Sequence, residues 1–303
     1  MKVGVQLPEV EYVARWPELR DMVRVAEEIG LDSVWVGDHL LYRDDGMPSR
    51  GPWEAWTTLA AIAAITDRVQ IGPLVAATSF HNPALLAKKA ATLDEISGGR
   101  LILGLGAGWN ETEYHAYGFP FDHRVSRFEE AFTIIRTLLR DGRCDFDGTY
   151  YRLADCELLP RGPRHAHGEG PPLMVGSMGE RMLSITLPHV QAWNAWFTWF
   201  DNSIEGYRPL RATVDAACLA AGRDPVEVER TLALFVAFPG AAGRSLRDLT
   251  EPEVAPIPGE PATLAATLRA FDAEGVAHIQ LVLDPINVET ITALAPALAL
   301  LDA

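Results

Sequence analysis

The chain is short of cationic residues and of cysteine, and each shortage excludes a class of protein. Its 303 residues carry 26 Lys and Arg against 41 Asp and Glu, a formal net charge of -15. Nucleic acids and anionic membranes attract basic faces, so we expect no nucleic acid and no membrane as the main partner. The three cysteines, Cys144, Cys156 and Cys218, form no CxxC pair, which predicts no metal centre and suits a reducing cytoplasm.

Long apolar runs are also missing. Residues 1–10 hold too short an apolar stretch for a signal peptide, and no segment reaches the roughly 18 apolar residues that a membrane-spanning helix needs. We therefore expect a cytoplasmic protein. With 48% hydrophobic residues the chain can bury a large core, and its length fits one domain over residues 1–303.

Short apolar segments alternate with stretches of helical spacing along the whole sequence. Eight predicted strands begin near residues 3, 33, 69, 101, 173, 190, 231 and 278. Such alternation predicts a parallel sheet, and a closed (β/α)8 TIM barrel is the simplest α/β fold at this length. A doubly wound open sheet is the alternative. We expect Gly72-Pro73 to interrupt the third strand, because proline cannot donate to a sheet.

Two segments do not fit the repeating pattern. An insertion at about residues 140–172 begins with a hairpin that turns at Asp147-Gly148. Residues 239–259 predict a mobile loop, which is a candidate lid over the barrel. The last helix is predicted to run from Val288 to Leu301.

The most informative stretch is RLILGLGAGWNETEY, residues 100–114. A buried strand runs into Gly106, Ala107 and Gly108, where the small side chains allow a ligand to approach the backbone. Polar and aromatic residues follow: Trp109, Asn110, Glu111 and Glu113. A tight turn without a ligand explains the glycines equally well. The spacing is not the GxGxxG fingerprint of dinucleotide-binding proteins, and it follows the fourth strand rather than the first.

A barrel carries its site at the carboxyl ends of the strands, and those ends exclude several chemistries. A Schiff-base aldolase needs a lysine there, but the lysines, at positions 2, 88 and 89, lie elsewhere. A retaining glycosidase needs two nearby carboxylates, and the seventh strand ends without one. The His165 and His167 pair lies in the insertion, so we interpret it as solvated loop rather than metal ligands.

What remains is a site poor in nucleophiles, which suits a cofactor that brings its own reactivity. The predicted phosphate cradle is the segment Gly176, Ser177, Met178, Gly179, Glu180 and Arg181. Its small residues expose backbone N–H groups at the start of a helix, and Arg181 adds a charge. An ordinary loop with a surface arginine is the alternative.

Histidine 39 is the candidate catalytic residue. It follows Asp38 at the end of the second strand, and histidine titrates near neutral pH, so it suits general acid or base work. A buried histidine that only supports its neighbours through hydrogen bonds has the same spacing. The residues by themselves leave both roles open.

Taken together, these segments resemble the luciferase-like flavin and deazaflavin oxidoreductases over nearly the whole chain. The most specific block is ISGGR followed by GAGWNE, within residues 82–121. Weaker pieces are GLDSVWVGDHL (30–40), VQIGPLV (69–75), RFEEAFTIIRTLL (127–139) and GSMGERML (176–183). The arrangement resembles the actinobacterial branch that uses coenzyme F420.

The resemblance implies a deazaflavin or flavin ring across the mouth of a TIM barrel. A non-proline cis bond between Leu74 and Val75 would form a bulge behind the ring. Asp38 and His39 would lie near its reactive edge, with His39 donating or accepting a proton. The cofactor would be lined by Gly106, Ala107, Gly108 and Trp109, and its phosphate held by Gly176 to Arg181. Arg43 and Arg50 are candidates for contacting a longer anionic tail, although a solvated loop explains them more simply.

The implied function is an F420-dependent oxidoreductase that transfers a hydride to or from a small, largely apolar molecule, as a homodimer. Relatives that oxidise sugar phosphates carry glutamate where this chain has Trp109, so that substrate is not expected. One alternative is an FMN-dependent monooxygenase supplied by a partner flavin reductase, and another is a flavin-binding protein without turnover. Candidate pocket walls are Trp109, Trp196 and Trp199, whereas for Trp193 we favour core packing.

Overall fold

A computed structural model describes residues 1–43, 46, 48–164, 169–241 and 254–301. The His165 and His167 pair and residues 242–253 of the predicted mobile loop lie outside the described residues. In the described part of the chain, no helix is both long and apolar enough to cross a bilayer.

The strands within the described residues occupy eight positions around a barrel. They are β1 (Lys2–Gln6), β2 (Ser33–Val36), β3 (Gln70–Pro73) continued by β4 (Ala76–Ala77), β5 (Leu103–Gly106), β8 (Leu173–Gly176), β9 (Ala192–Ala195), β10 (Glu229–Ala237) and β12 (Val276–Asp284). Their order is β3-β2-β1-β12-β10-β9-β8-β5-β4, with every neighbouring pair parallel. A parallel bridge joins Ile71 of β3 to Leu101, two residues before β5. The sheet therefore closes, and the predicted TIM barrel is confirmed.

The helices cover the outside of the barrel with their apolar faces. They are α1 (Trp16–Glu28), α2 (Ala55–Ile65), α3 (Pro83–Ile96), α4 (Glu111–Tyr117), α5 (Arg124–Asp141), α6 (Glu180–Thr186), α7 (Ile204–Ala220), α8 (Pro261–Ala273), α9 (Val288–Thr292) and α10 (Ala295–Leu301). Helix α1 shows the rule: Leu19, Met22, Val23 and Ala26 recur at helical spacing and are all buried. Helix α3 begins where Asn82 accepts a hydrogen bond from the Leu85 amide and proline follows.

Three elements differ in detail from their predicted form. The predicted interruption at Gly72-Pro73 is misplaced, because both residues belong to β3 and the strand breaks just beyond them. The break falls at a cis peptide bond between Leu74 and Val75, which is the bond that the resemblance implied. The single C-terminal helix is wrong, because the chain breaks into α9 and α10. The sixth strand, β9, extends to Ala195, so Asn194 lies inside the barrel, where its Nδ2 donates to Thr231 Oγ1 and Gln280 Oε1, both at 2.8 Å.

The insertion contains the expected hairpin, formed by β6 (Arg143–Asp147) and β7 (Arg152–Glu157). Its turn is attached to α5 by Glu130, whose carboxylate accepts hydrogen bonds from the backbone amides of Thr149, Tyr150 and Tyr151. A short strand, β11 (Ile257–Pro258), pairs with the end of β10.

Candidate active site

The centre of the candidate site is His39, which follows β2 at the carboxyl end of the barrel. Its Nδ1 lies 2.8 Å from Oε1 of Glu113, a residue of α4 that is 1% exposed. The other carboxylate oxygen, Oε2, accepts the backbone amides of Leu40 at 2.7 Å and Leu41 at 3.2 Å. Glu113 therefore fixes both the ring of His39 and the chain that follows it.

A second carboxylate faces the other ring nitrogen of His39. Oε1 of Glu9, just beyond β1, lies 3.7 Å from Nε2, which is an ion-pair distance rather than a close hydrogen bond. The same oxygen accepts the Tyr42 hydroxyl at 2.8 Å, and Gln6 donates to Oε2 at 3.2 Å. Nε2 is thus the ring nitrogen left for contact with a further group.

These charges decide the protonation state of His39. Burial alone would lower its pKa, but the charge of Glu9, the hydrogen bond and charge of Glu113, and the charge of Asp38 outweigh it and raise the pKa to about 9. At neutral pH the ring is an imidazolium, and both of its nitrogens carry protons. With its side chain 19% exposed, His39 presents a protonated edge at the mouth of the barrel.

The adjacent Asp38 makes its contacts in another direction. Its Oδ2 accepts the backbone amide of Ala77 at 3.0 Å and lies 3.2 Å from Nε2 of His81. These contacts join the end of β2 to β4 across the interruption in the third strand. In this structure Asp38 supports the wall of the site and contributes its charge to the field around His39.

The glycine loop after β5 is held rigidly at the mouth. Gly108 has φ +75°, and a Cβ there would collide with the Tyr114 hydroxyl at 1.8 Å, so this position requires glycine. That hydroxyl donates to the Ala107 carbonyl at 2.8 Å, and Arg124 donates to the Gly108 carbonyl at 3.0 Å.

Val75, beyond the cis bond, packs over two other glycines. A Cβ on Gly106 would lie 2.8 Å from Val75 Cγ2, and one on Gly176 would lie 3.2 Å from the same atom. Leu74 and Val75 are both partly exposed. Because Gly106 at the end of β5 and Gly176 at the end of β8 carry no side chain, Val75 can form an apolar floor at the mouth of the barrel.

The predicted pocket tryptophans differ in exposure. Trp109 is 47% exposed, and its ring centroid lies 5.5 Å from that of His39. Trp193 is fully buried and donates to the Ser177 carbonyl at 2.7 Å, so it belongs to the core as favoured. Trp196 and Trp199 are partly buried against the main core.

The predicted phosphate-binding segment, residues 176–181, has space beside its backbone, but Arg181 already pairs with a carboxylate. A Cβ on Gly179 would meet nothing within 4 Å, which agrees with an accessible backbone at the start of α6. Nη2 of Arg181 donates to Glu129 of α5 at 2.7 Å. The expected free positive charge at this position is therefore partly neutralised.

The structure brings together residues for which no functional role was predicted. Glu9, Tyr42 and His81 were missed, and Glu113 was noted only as a polar residue after the glycine loop. Glu9 lies three residues beyond β1 and Tyr42 three residues beyond His39, so nearness to a strand end was the available signal. In the part of the chain that the structure describes, no three His, Cys, Asp or Glu side chains group as metal ligands would.

Arg43 and Arg50, the cationic residues in the loop after β2, both have nearby partners. Nε of Arg43 donates to the Ser49 hydroxyl at 3.2 Å, and the Arg50 guanidinium lies 5.8 Å from the centre of the Tyr42 ring. Neither contact points to a cofactor.

The closed parallel barrel, with a glycine loop and a protonated histidine at its mouth, places this chain among the TIM-barrel proteins that carry their site at the strand ends. The model of the family described as luciferase-like monooxygenase matches residues 1–246. The chain belongs to this family, and the resemblance found in its sequence is confirmed.

Relatives in the family include F420-dependent and oxygenase enzymes. The chain is 39% identical over 167 residues to the F420-dependent glucose-6-phosphate dehydrogenase of Amycolatopsis mediterranei (strain U-32), covering 53% of this chain and 48% of that one. It is 35% identical over 177 residues to the pyrimidine monooxygenase RutA of Cronobacter sakazakii (strain ATCC BAA-894), covering 56% and 50%. The chain thus spans about half the length of these curated relatives.

A solved structure agrees over the entire fold. An F420-dependent secondary alcohol dehydrogenase, in complex with an F420–acetone adduct, superposes with a TM-score of 0.80, covering 99% of this chain and 98% of that one. The identity is 19%, so this likeness establishes the shared barrel and no more.

Proposed function

We propose that this chain is an oxidoreductase that uses coenzyme F420 and transfers a hydride between the deazaflavin and a small, largely apolar organic molecule. The observation that carries the proposal is His39, an imidazolium with a pKa of about 9 between Glu9 and Glu113 at the barrel mouth. The F420-dependent relatives support the choice of cofactor.

The residues at the mouth fit a planar ring with an anionic tail. Val75, seated over Gly106 and Gly176, would be the floor beneath the ring. The backbone of Gly106, Ala107 and Gly108 would line one edge, and Trp109 would flank it. The backbone amides of residues 176–181 would hold the phosphate. Arg181 would add only the part of its charge that its pairing with Glu129 leaves unneutralised. When bound, the deazaflavin supplies or accepts the hydride.

His39 would manage the accompanying proton. Its Nδ1–H is held by Glu113 and stays in place, whereas Nε2–H has Glu9 only at 3.7 Å. We assign Nε2 as the atom that donates to a substrate oxygen as negative charge develops there. With a pKa of about 9, His39 is mostly protonated at pH 7, so at that pH the ring is in the form that can donate to a substrate undergoing reduction.

Charge and shape around His39 support a neutral, apolar substrate. Glu9, Glu113 and Asp38 bring three formal negative charges near one imidazolium, and this excess repels an anion. The exposed indole of Trp109 offers a flat apolar surface beside the ring. Glucose 6-phosphate, named for one relative, is dianionic, so we expect it to be a poor substrate here.

An FMN-dependent monooxygenase working with a flavin reductase is the second candidate, and the match to RutA favours it. The barrel and the phosphate segment would serve either cofactor. A homodimer, a single domain and a cytoplasmic location stay predictions.

The deciding experiment is titration of the purified protein with oxidised F420 and with FMN, followed by quenching of its eight tryptophans. Micromolar binding of F420, with FMN at least tenfold weaker, supports the proposal. Stronger binding of FMN than of F420 would favour the FMN-dependent monooxygenase. Tight binding of either cofactor without turnover of any tested carbonyl compound or alcohol would support a binding protein instead.

A variant pair separates the proton role from cofactor binding. His39→Asn should reduce turnover by about 10²- to 10⁴-fold and leave the Kd for F420 nearly unchanged. His115→Asn is the matched control, since His115 is 67% exposed and pairs only loosely with Glu111 at 3.7 Å. A collapse of affinity with turnover retained would make His39 a binding residue.

A further inference from the structure

The insertion hairpin places two of the three cysteines directly opposite each other. In the antiparallel pairing of β6 with β7, Cys144 is the partner of Cys156. Opposite residues of an antiparallel pair direct their side chains to the same face of the sheet. Both thiols are free, and both belong to the apolar face of the hairpin that packs on the main core.

The geometry of such a pair suits a disulfide. Opposite residues in an antiparallel ladder have Cα atoms about 4.5–5.5 Å apart, whichever of the two kinds of pair they form. Disulfides accept Cα separations of about 4.4–6.8 Å. At such a separation the two sulfurs can be linked by rotation of the side chains, next to the irregularity in the ladder that follows Cys144.

The two thiols differ in access to solvent. Cys144 is buried, and Cys156 is half-buried. Burial also raises the pKa of the Cys144 thiol, with smaller contributions from Cys156, Asp145 and Asp141, so Cys144 is the less reactive partner. An oxidant from solvent meets Cys156 first. Cys218, by contrast, is buried in α7, where Nη2 of Arg230 lies 4.0 Å from its Sγ.

We propose that Cys144 and Cys156 are a reversible oxidation site that closes to a cross-strand disulfide. The oxidant is hydrogen peroxide. The Cys156 sulfur attacks one peroxide oxygen to give a sulfenic acid and release water, and the Cys144 sulfur then displaces that hydroxyl as a second water. Two thiols lose two electrons and two protons, and the peroxide is reduced to two waters. A dithiol reverses the step by exchange.

The bond would restrict a hairpin that is connected to the candidate site. Glu130 of α5 binds the hairpin turn, Glu129 pairs with Arg181, and Arg124 at the start of α5 holds the glycine loop. The disulfide encloses residues 145–155, so the oxidised hairpin opens less readily. We expect it to resist limited proteolysis at residues 148–151 better than the reduced hairpin.

The test is a thiol count before and after peroxide treatment of the intact protein. In denaturant, the three thiols of the reduced chain should fall to the single thiol of Cys218, and dithiothreitol should restore them. Peptide mapping of the non-reduced protein should give one linked pair containing Cys144 and Cys156. Thiols that persist, or a linkage between two chains, would overturn the proposal.

Two variants make the result specific. Cys156→Ser should retain Cys144 as a free thiol after the same treatment, because its partner is gone. Cys218→Ala is the matched control, and both remaining thiols should still disappear into the linked peptide. Loss of the Cys144 thiol in Cys156→Ser to the same extent as in the parent chain would show that no pairing is involved. Circular dichroism of each variant checks that the fold is retained.

Discussion

Replacing Glu113 by glutamine tests whether this carboxylate holds the proton on His39. The change keeps the size of the side chain and removes its charge. In the parent chain Oε1 accepts from Nδ1–H of His39, and Oε2 accepts the amides of Leu40 and Leu41. Glutamine has one oxygen and one NH2 group, so it cannot accept from both sides.

The magnitude follows from that mismatch. If the amide oxygen stays with the Leu40 amide, the NH2 group faces Nδ1 of His39, which accepts a hydrogen bond only when the ring is neutral. The attraction of one carboxylate is lost at the same time, and such a charge shifts a pKa by about 1–3 units. We expect the pKa of His39 to fall from about 9 to about 7. At 1.36 kcal/mol per unit, this corresponds to about 3 kcal/mol less stabilisation of the imidazolium.

The assay is a pH titration of the histidine ring protons by NMR, with the His39 resonance assigned by its absence from His39→Asn. Glu111→Gln is the matched control, because Glu111 is an exposed residue of the same helix that faces His115. The control should leave the His39 titration where it was. A parent pKa near 6.5, or a Glu113→Gln variant that titrates like the parent chain, would refute the reasoning.

Three further outcomes are expected. First, because the pKa of His39 is raised, its contribution of about 3 kcal/mol to the free energy of unfolding is complete below pH 6.5 and is lost as the pH rises through about 9. Urea unfolding of the parent chain should show this decline. An equal decline in His39→Asn would contradict it. Second, Gly106→Ala should cost about 1–3 kcal/mol, because its Cβ meets Val75 at 2.8 Å, whereas Gly179→Ala should cost far less; equal urea midpoints would rule out the proposed floor. Third, Arg100→Lys should lower the free energy of unfolding by about 2–4 kcal/mol, because the guanidinium donates to the Thr66 hydroxyl and to the carbonyls of Ala63, Thr66, Val69 and Ser97. A loss below about 1 kcal/mol would show that these carbonyls find other partners.

Much of the barrel was predictable because its signals are local. Short apolar runs mark most of the strands, and glycine, proline or aspartate bounds some of them, as at β2 between Asp32 and Gly37 and β12 between Gly275 and Pro285. The cap at Asn82 and the left-handed turn at Gly108 are also local, since each depends on a few neighbouring residues. His39 and the glycine loop could be proposed for the same reason, because both directly follow a strand.

The partners of those residues could not be predicted in the same way. Glu113 is 74 positions from His39, and Tyr42 is 33 positions from Glu9, so no spacing rule connects them. The ion pair that partly neutralises Arg181 depends on Glu129, which is 52 positions away on another helix. Cys144 and Cys156 lie opposite each other only because of the register of the hairpin strands.

The amino-acid sequence by itself determined the alternation of strands and helices, the position of the glycine loop and the presence of a histidine at a strand end. The tertiary structure alone decided the charge on that histidine. Closure of the barrel brings Glu9 from the loop after β1 and Glu113 from the helix after β5 to opposite sides of one imidazole ring. A pKa depends on distance and burial, and both are set only when segments far apart in the chain meet.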